Sequence, residues 1–306
     1  MIIRKLVKAG QASHTISLPK DWLEKNNLNK GDIIYIRELS DKELLISTET
    51  KTEESALKRE ITISIDGKEL STIQREITSA YINNYGTITL MGENIPSLTK
   101  NIRKILHDFV ALEIADQTSK HIVAKDLLNP EEISIDKTVR RMDMLVRSMI
   151  QDCFAALENP KLAQNVVVRD YEVNRAYFLL LRLLKNALTS KKASDLFNLS
   201  NTQILSYWYL TINLENFADA VKQFMEYLNR EKKKEKTKKV FQFVQKCYLD
   251  VMKAYFTKNK KIADAVAVQR KHLLKQTTDL SPGTAELLKT MTTLTNNIAR
   301  QVIDEE

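Results

Sequence analysis

Between Lys161 and Ser281 the chain contains neither glycine nor proline. A stretch that long without a backbone breaker, rich in Leu, Ala, Lys and Glu, reads as a set of long helices. The first 128 residues are built differently. They hold most of the glycines and several short Ile/Val/Thr runs, which predict strands. The expected class is therefore α+β and multidomain, with a β-rich N-terminal third ahead of an all-α remainder.

A length of 306 residues accommodates two or three domains, each able to bury a core of its own. Cys153 and Cys247 lie far apart and form no CxxC, which excludes a disulfide framework or a zinc ribbon and fits a reducing, cytoplasmic setting. The longest apolar stretch, Tyr177 to Leu184, is interrupted by Arg182 and is too short to span a bilayer. The opening residues lack the apolar segment of a signal peptide. No phosphate-loop, dinucleotide, nucleophile-elbow or zincin motif occurs, and His14, His107, His121 and His272 are scattered, so no enzyme is expected. Lys and Arg number 47 against 39 acids, and a net charge of +8 suits a polyanionic partner.

Three segments follow from the pattern. Residues 1–48 read strand, turn, short helix, then a hairpin. Ile2 to Lys8 and Thr15 to Leu18 are extended runs around Gly10, Asp21 to Asn26 is a helix, and Ile33 to Arg37 pairs with Glu43 to Ser47 across Ser40-Asp41. Residues 49–59 form a charged linker. Residues 60–127 read β-α-β-α-β-β, with helices at Lys68 to Asn83 and from Pro96 to Phe109, and this connecting segment carries no chemical motif. From Pro130 six helices are expected, at about 131–158, 161–189, 194–231, 236–258, 260–279 and 283–303. At an offset of 100, Asn159 matches Asn259, Val166 matches Val266 and Val168 matches Val268. The helical part therefore reads as two copies of a three-helix unit.

The string Gly10-Gln11-Ala12-Ser13-His14-Thr15-Ile16-Ser17-Leu18-Pro19-Lys20-Asp21-Trp22-Leu23, followed by Leu28-Asn29-Lys30-Gly31-Asp32, resembles the SpoVT/AbrB swapped-hairpin family over residues 1 to about 48. The resemblance implies that two chains interleave into one β-barrel, a homodimer that binds double-stranded DNA. Arg4, Lys5, Lys8 and Lys20 are the charged residues of the first twenty, with no acid before Asp21. Arg4 is the candidate for a base edge and Lys5, Lys8 and Lys20 for phosphates, with Ser13 and His14 adding polar contacts. The competing reading is a solvated cationic strand face.

Residues 131–304 resemble the PhoU family of phosphate-uptake regulators, through the helix Val166 to Arg175 and the stretch Asn213-Leu214-Glu215-Asn216-Phe217-Ala218-Asp219. The order of a swapped-hairpin module ahead of a PhoU-like module looks like archaeal proteins of this class. In the PhoU family the E-x-x-x-D residues ligate iron or zinc, which carries over here to Glu215, Asp219 and Asp170. Glu215 and Asp219 share one helix face and continue the line Ile204, Trp208, Ile212, while Asp170 lies in the stripe Val166, Val173, Tyr177, Leu181. Carboxylates on such stripes need partners or a cation, because an isolated buried charge is very costly. In the second copy Arg270, Lys289 and Thr293 stand at the corresponding positions, so pairing of Arg270 or Lys289 with the acids competes with a metal. Arg230 to Lys239 (REKKKEKTKK) reads as a solvated connector or an anion-binding patch. Phe241, Phe243, Tyr248, Tyr255 and Phe256 read as core. The resemblances together imply a dimeric transcriptional regulator of phosphate uptake. The alternative is an adaptor that binds a phosphate transporter's ATPase or a sensor kinase without touching DNA.

Overall fold

The computed structural model describes residues 3–10, 13–40, 43–48, 59–228, 231 and 233–305, and divides the chain into compact units at 1–57 and 58–306. In the first unit, β1 (Val7–Lys8) pairs antiparallel with β2 (His14–Thr15), putting Lys8 opposite His14. Gly10 turns the chain at φ +92°, a conformation that glycine takes without a Cβ clash. These strands are shorter than the extended runs read from the sequence. Pro19 leads into α1 (Lys20–Lys25), and a turn pinned by Asn29 N donating to Asp32 Oδ2 at 2.6 Å leads to the hairpin of β3 (Tyr35–Ser40) and β4 (Glu43–Ser47). Strand β3 begins at Tyr35 rather than Ile33. Asp41 of the expected turn, and Gln11 and Ala12 of the N-terminal motif, lie outside the described residues.

The second unit begins with the expected β-α-β-α-β-β order. Strands β5 (Glu60–Ser64), β6 (Thr87–Met91), β7 (Leu112–Gln117) and β8 (His121–Asp126) form one sheet ordered β5-β6-β8-β7. The β5-β6 pair is parallel and the others antiparallel, so β8 is inserted between β6 and β7. Alternation puts Ile63, Ile88, Leu90, Ile122 and Ala124 on one face, under α2 (Leu70–Ile82) and α3 (Ile95–His107). Helix α2 starts two residues later than the apolar pattern suggests, because Gly67 holds φ +71° and Glu69 is extended.

The remainder is helical: α4 (Ile135–Glu158), α5 (Ala163–Thr189), α6 (Lys191–Phe197), α7 (Asn201–Leu228), α8 (Lys234–Thr257), α9 (Lys260–Gln276) and α10 (Pro282–Asp304). Helices α4, α5 and α7 pack together, as do α8, α9 and α10, and α7 lies against α10. The two asparagines matched at offset 100 do the same work: Asn159 Oδ1 accepts from Lys161 N, and Asn259 Oδ1 accepts from Ile262 N. Phe241 and Tyr248 are buried, with Phe243, Tyr255 and Phe256 packed at the edge of the same core. The third expected helix, 194–231, is instead two. Asn198 adopts φ +49° at the end of α6, and Ser200 and Gln203 cap α7 reciprocally, Gln203 N to Ser200 Oγ at 3.3 Å and Ser200 N to Gln203 Oε1 at 2.9 Å.

Helix α5 joins the sheet to the bundle. Tyr171, Phe178 and Arg182 fall on one side of it. Tyr171 Oη donates to His107 O at 2.8 Å, Phe178 stacks on Phe109 at 5.4 Å, and Arg182 is 3% exposed. The Arg182 guanidinium donates to both carboxylate oxygens of Asp126, at 3.0 and 2.6 Å, to Asn84 Oδ1, and stands 4.7 Å over the Tyr81 ring. Val166, Val173, Leu180 and Leu184 face the bundle core. Arg182→Met keeps the stem but removes the counter-charge of a buried carboxylate. Urea denaturation of the full chain should show a loss of about 3–5 kcal/mol, and a loss under about 0.5 kcal/mol would mean that the contact is not a fastening.

Candidate functional site

Two groups of side chains were singled out by the sequence. Arg4, Lys5, Lys8, Ser13, His14 and Lys20 are all exposed in the first unit. The β1-β2 ladder sets Lys8 beside His14, and Ser13 Oγ donates to Ala9 O, tightening the turn between them. Lys20 Nζ lies 3.4 Å from Glu24, an ion pair of 85% and 65% exposed partners that is worth well under 1 kcal/mol and leaves the ammonium accessible. Every residue of 3–10, 13–36, 38 and 43–48 is exposed or half-buried. Ile3, Leu6, Val7, Ile16, Ile33, Ile36 and Leu44 are 51–78% exposed. Fully burying a side chain of this size is worth about 1.5–3 kcal/mol.

The second group lies between α5 and α7. Asp170 is 6% exposed, and its Oδ2 accepts from Lys222 Nζ at 2.7 Å; the same ammonium donates to Asp219 Oδ1 at 2.7 Å. Asn174 Nδ2 reaches Asp170 Oδ2 at 3.4 Å, while Asp170 Oδ1 is buried without a partner. Glu215 stands one turn before Asp219. Burial, then the neighbouring Asp219 and Asp170 charges, push its carboxyl up to about 7, with Lys222 opposing them. Burial also raises Asp170, since desolvation outweighs its ion pair.

Asp170 and Asp219 share the Lys222 ammonium, a cation not foreseen from the sequence, while Glu215 feels both carboxylates electrostatically. Arg270 is exposed on α9, and neither it nor Lys289 forms an ion pair with them among the described residues. Lys222 takes that role from the first copy itself. Its ammonium lies between Asp170 and Asp219, and no three His, Cys, Asp or Glu side chains among the described residues are placed to hold a metal ion. With an ammonium already between Asp170 and Asp219, the arrangement does not fit the iron or zinc that the resemblance implies.

The charged run before α8 is less solvated than expected. Glu231 is buried, and Ser281 N, Ser281 Oγ and Lys233 N donate to it. Burial works to raise this carboxyl, yet those hydrogen bonds hold it down at about 2. Lys233 and Lys236 both tie back to Asp279. Arg230 and Lys232 lie outside the described residues. Cys153 and Cys247 are free and buried, and burial pushes their thiols up to about 12 and about 11, which makes them poor nucleophiles.

Glu215 gives a pH test. Its native carboxyl titrates near 7 against an ordinary 4.5, so the protonated form is the one the fold prefers. The associated stability is complete below about 4.5 and is lost as pH rises through 7. Glu215→Gln should therefore melt higher than the wild type at pH 8, by about 1 kcal/mol after discounting for partial solvent contact, and the two should converge by pH 4. Parallel melting curves across that range would contradict the assigned environment.

Among the described residues no helix is long and apolar enough to cross a membrane. No curated protein and no solved structure shows a significant match to the chain. Two family models do match. Residues 12–54 match the model described as antidote-toxin recognition MazE, bacterial antitoxin, and residues 139–228 match the PhoU domain. The second match runs from within α4 to the last residue of α7, which is the first three-helix unit and contains the carboxylate cluster. The chain therefore carries a MazE/AbrB-type module at its N-terminus and a PhoU domain in its helical part.

Proposed function

We propose that this chain is a homodimeric, DNA-binding regulator of phosphate uptake. The observation that carries the reading is the state of the first unit: no acid precedes Asp21 to oppose its exposed cations, and Ile3, Leu6, Val7, Ile16, Ile33, Ile36 and Leu44 are exposed. A second copy, its hairpins interleaved to close one β-barrel, would bury Ile3, Leu6, Val7, Ile16, Ile33, Ile36 and Leu44 together. It would also repeat Arg4, Lys5, Lys8 and Lys20 about a two-fold axis, as two DNA half-sites require. Lys5, Lys8 and Lys20 then hold phosphates, Arg4 reaches a base edge, and Ser13 and His14 contact the backbone from the turn. Both matched modules belong to regulatory or adaptor families, and the PhoU match is what ties the regulation to phosphate.

Titration of the purified protein into duplex DNA from its own upstream region, at ~50 mM salt where phosphate contacts are strongest, tests the reading. The wild type should bind with an affinity that falls steeply with salt. Arg4→Ala combined with Lys8→Ala should abolish binding while leaving the helix content unchanged. A wild type with no affinity at that salt would favour the second reading that the PhoU match supports, an adaptor for a phosphate transporter's ATPase or a sensor kinase, with the first unit serving dimerisation alone.

A further inference from the structure

Residues 233–279, the α8-α9 hairpin, hold 13 Lys and Arg against four Asp and Glu, a net +9. The whole chain is +8, so everything outside the hairpin sums to −1. The excess is also ordered. Lys239, Lys246 and Lys253 recur every seven residues on α8, which is two turns and about 10.5 Å, so they form a straight row about 21 Å long. All three are exposed, while Val240, Val244, Cys247, Tyr248 and Val251 of the same helix are buried in the core. Lys246 and Lys253 of the row line a cleft of about 480 Å³ between α8 and α9, where Lys261 joins them and Asp250 is the one acid. Among the described residues the ion pairs of α8 are Lys236 with Asp279 and Lys238 with Glu158, and none of these four lysines takes part in one.

We infer that this face binds the phosphate backbone of a DNA duplex. Lysine is a compact point charge suited to phosphate oxygens rather than to base reading. A straight row of evenly spaced cations is complementary to a linear polyanion carrying one charge per ~1.7 Å of axis. An anionic membrane is disfavoured, since it needs apolar side chains to insert and Val268 is the one large apolar residue of the hairpin that is strongly exposed. The surface contributes affinity without sequence preference. It rests on the preceding section only for the identity of the polyanion, since the lysine row shares no residue with the N-terminal cations.

The test uses the full chain and a labelled mixed-sequence duplex of ~40 base pairs, with anisotropy read across a salt series. The variants are Lys239→Gln/Lys246→Gln/Lys253→Gln, its Arg counterpart, and Arg4→Ala/Lys5→Ala/Lys8→Ala. The Gln variant should bind about tenfold more weakly at ~100 mM salt, with the slope of log affinity against log salt reduced by about 2.7, or 0.9 for each lysine. The Arg variant should bind like the wild type, which separates lost charge from lost fold. If the Gln variant binds like the wild type while the N-terminal variant fails, the inference is overturned and the proposed function stands. If the Gln variant weakens while the N-terminal variant does not, the inference stands and the proposed function falls. No duplex binding by the wild type at ~50 mM salt, or capture by phosphatidylserine vesicles without duplex binding, overturns both.

Discussion

Helix α5 must satisfy two cores at once. One side, through Val166, Val173, Leu180 and Leu184, completes the three-helix unit. Another, through Tyr171, Phe178 and Arg182, closes the sheet layer at His107, Phe109 and Asp126. The guanidinium is the critical part, because it is almost wholly removed from water and answered by a carboxylate, an amide oxygen and an aromatic face. A buried charge so fully matched tolerates no sliding. The sheet and the bundle form one compact unit.

The reach of sequence reading follows the physics of each element. The long interval without glycine or proline announced the helices, and the matched asparagines announced the repeat because a cap acts locally. The break at Asn198 was missed although its signal was present, as Ser200 followed by Gln203 three residues later is a capping pair. Arg182 was legible only as an interruption of an apolar run, since its partners lie 56 and 98 residues away. The acids of the cluster were visible from the stripes they interrupt. Lys222 was not, because its pairing with Asp219 one turn earlier looks like any surface i,i+3 contact until α5 brings Asp170 against it.

The two helical groups, α4-α5-α7 and α8-α9-α10, differ in charge. The first, which carries the PhoU match, keeps Asp170, Glu215 and Asp219 and answers two of them, Asp170 and Asp219, with its own Lys222. The second has exchanged those positions for cations and neutral groups and displays lysines along its outer hairpin. Packing of α7 on α10 preserves the pairing of the halves while leaving each outer face free to acquire its own chemistry.

Lys222 has a consequence for what the cluster can report. Its ammonium is synthesised with the polypeptide, one per chain, and cannot be stripped by a chelator or diluted by scarcity. The cation between Asp170 and Asp219 is thus part of the polypeptide itself. Beside it, Glu215 is the carboxyl that burial and the Asp219 and Asp170 charges push up to about 7, so it changes charge near neutral pH.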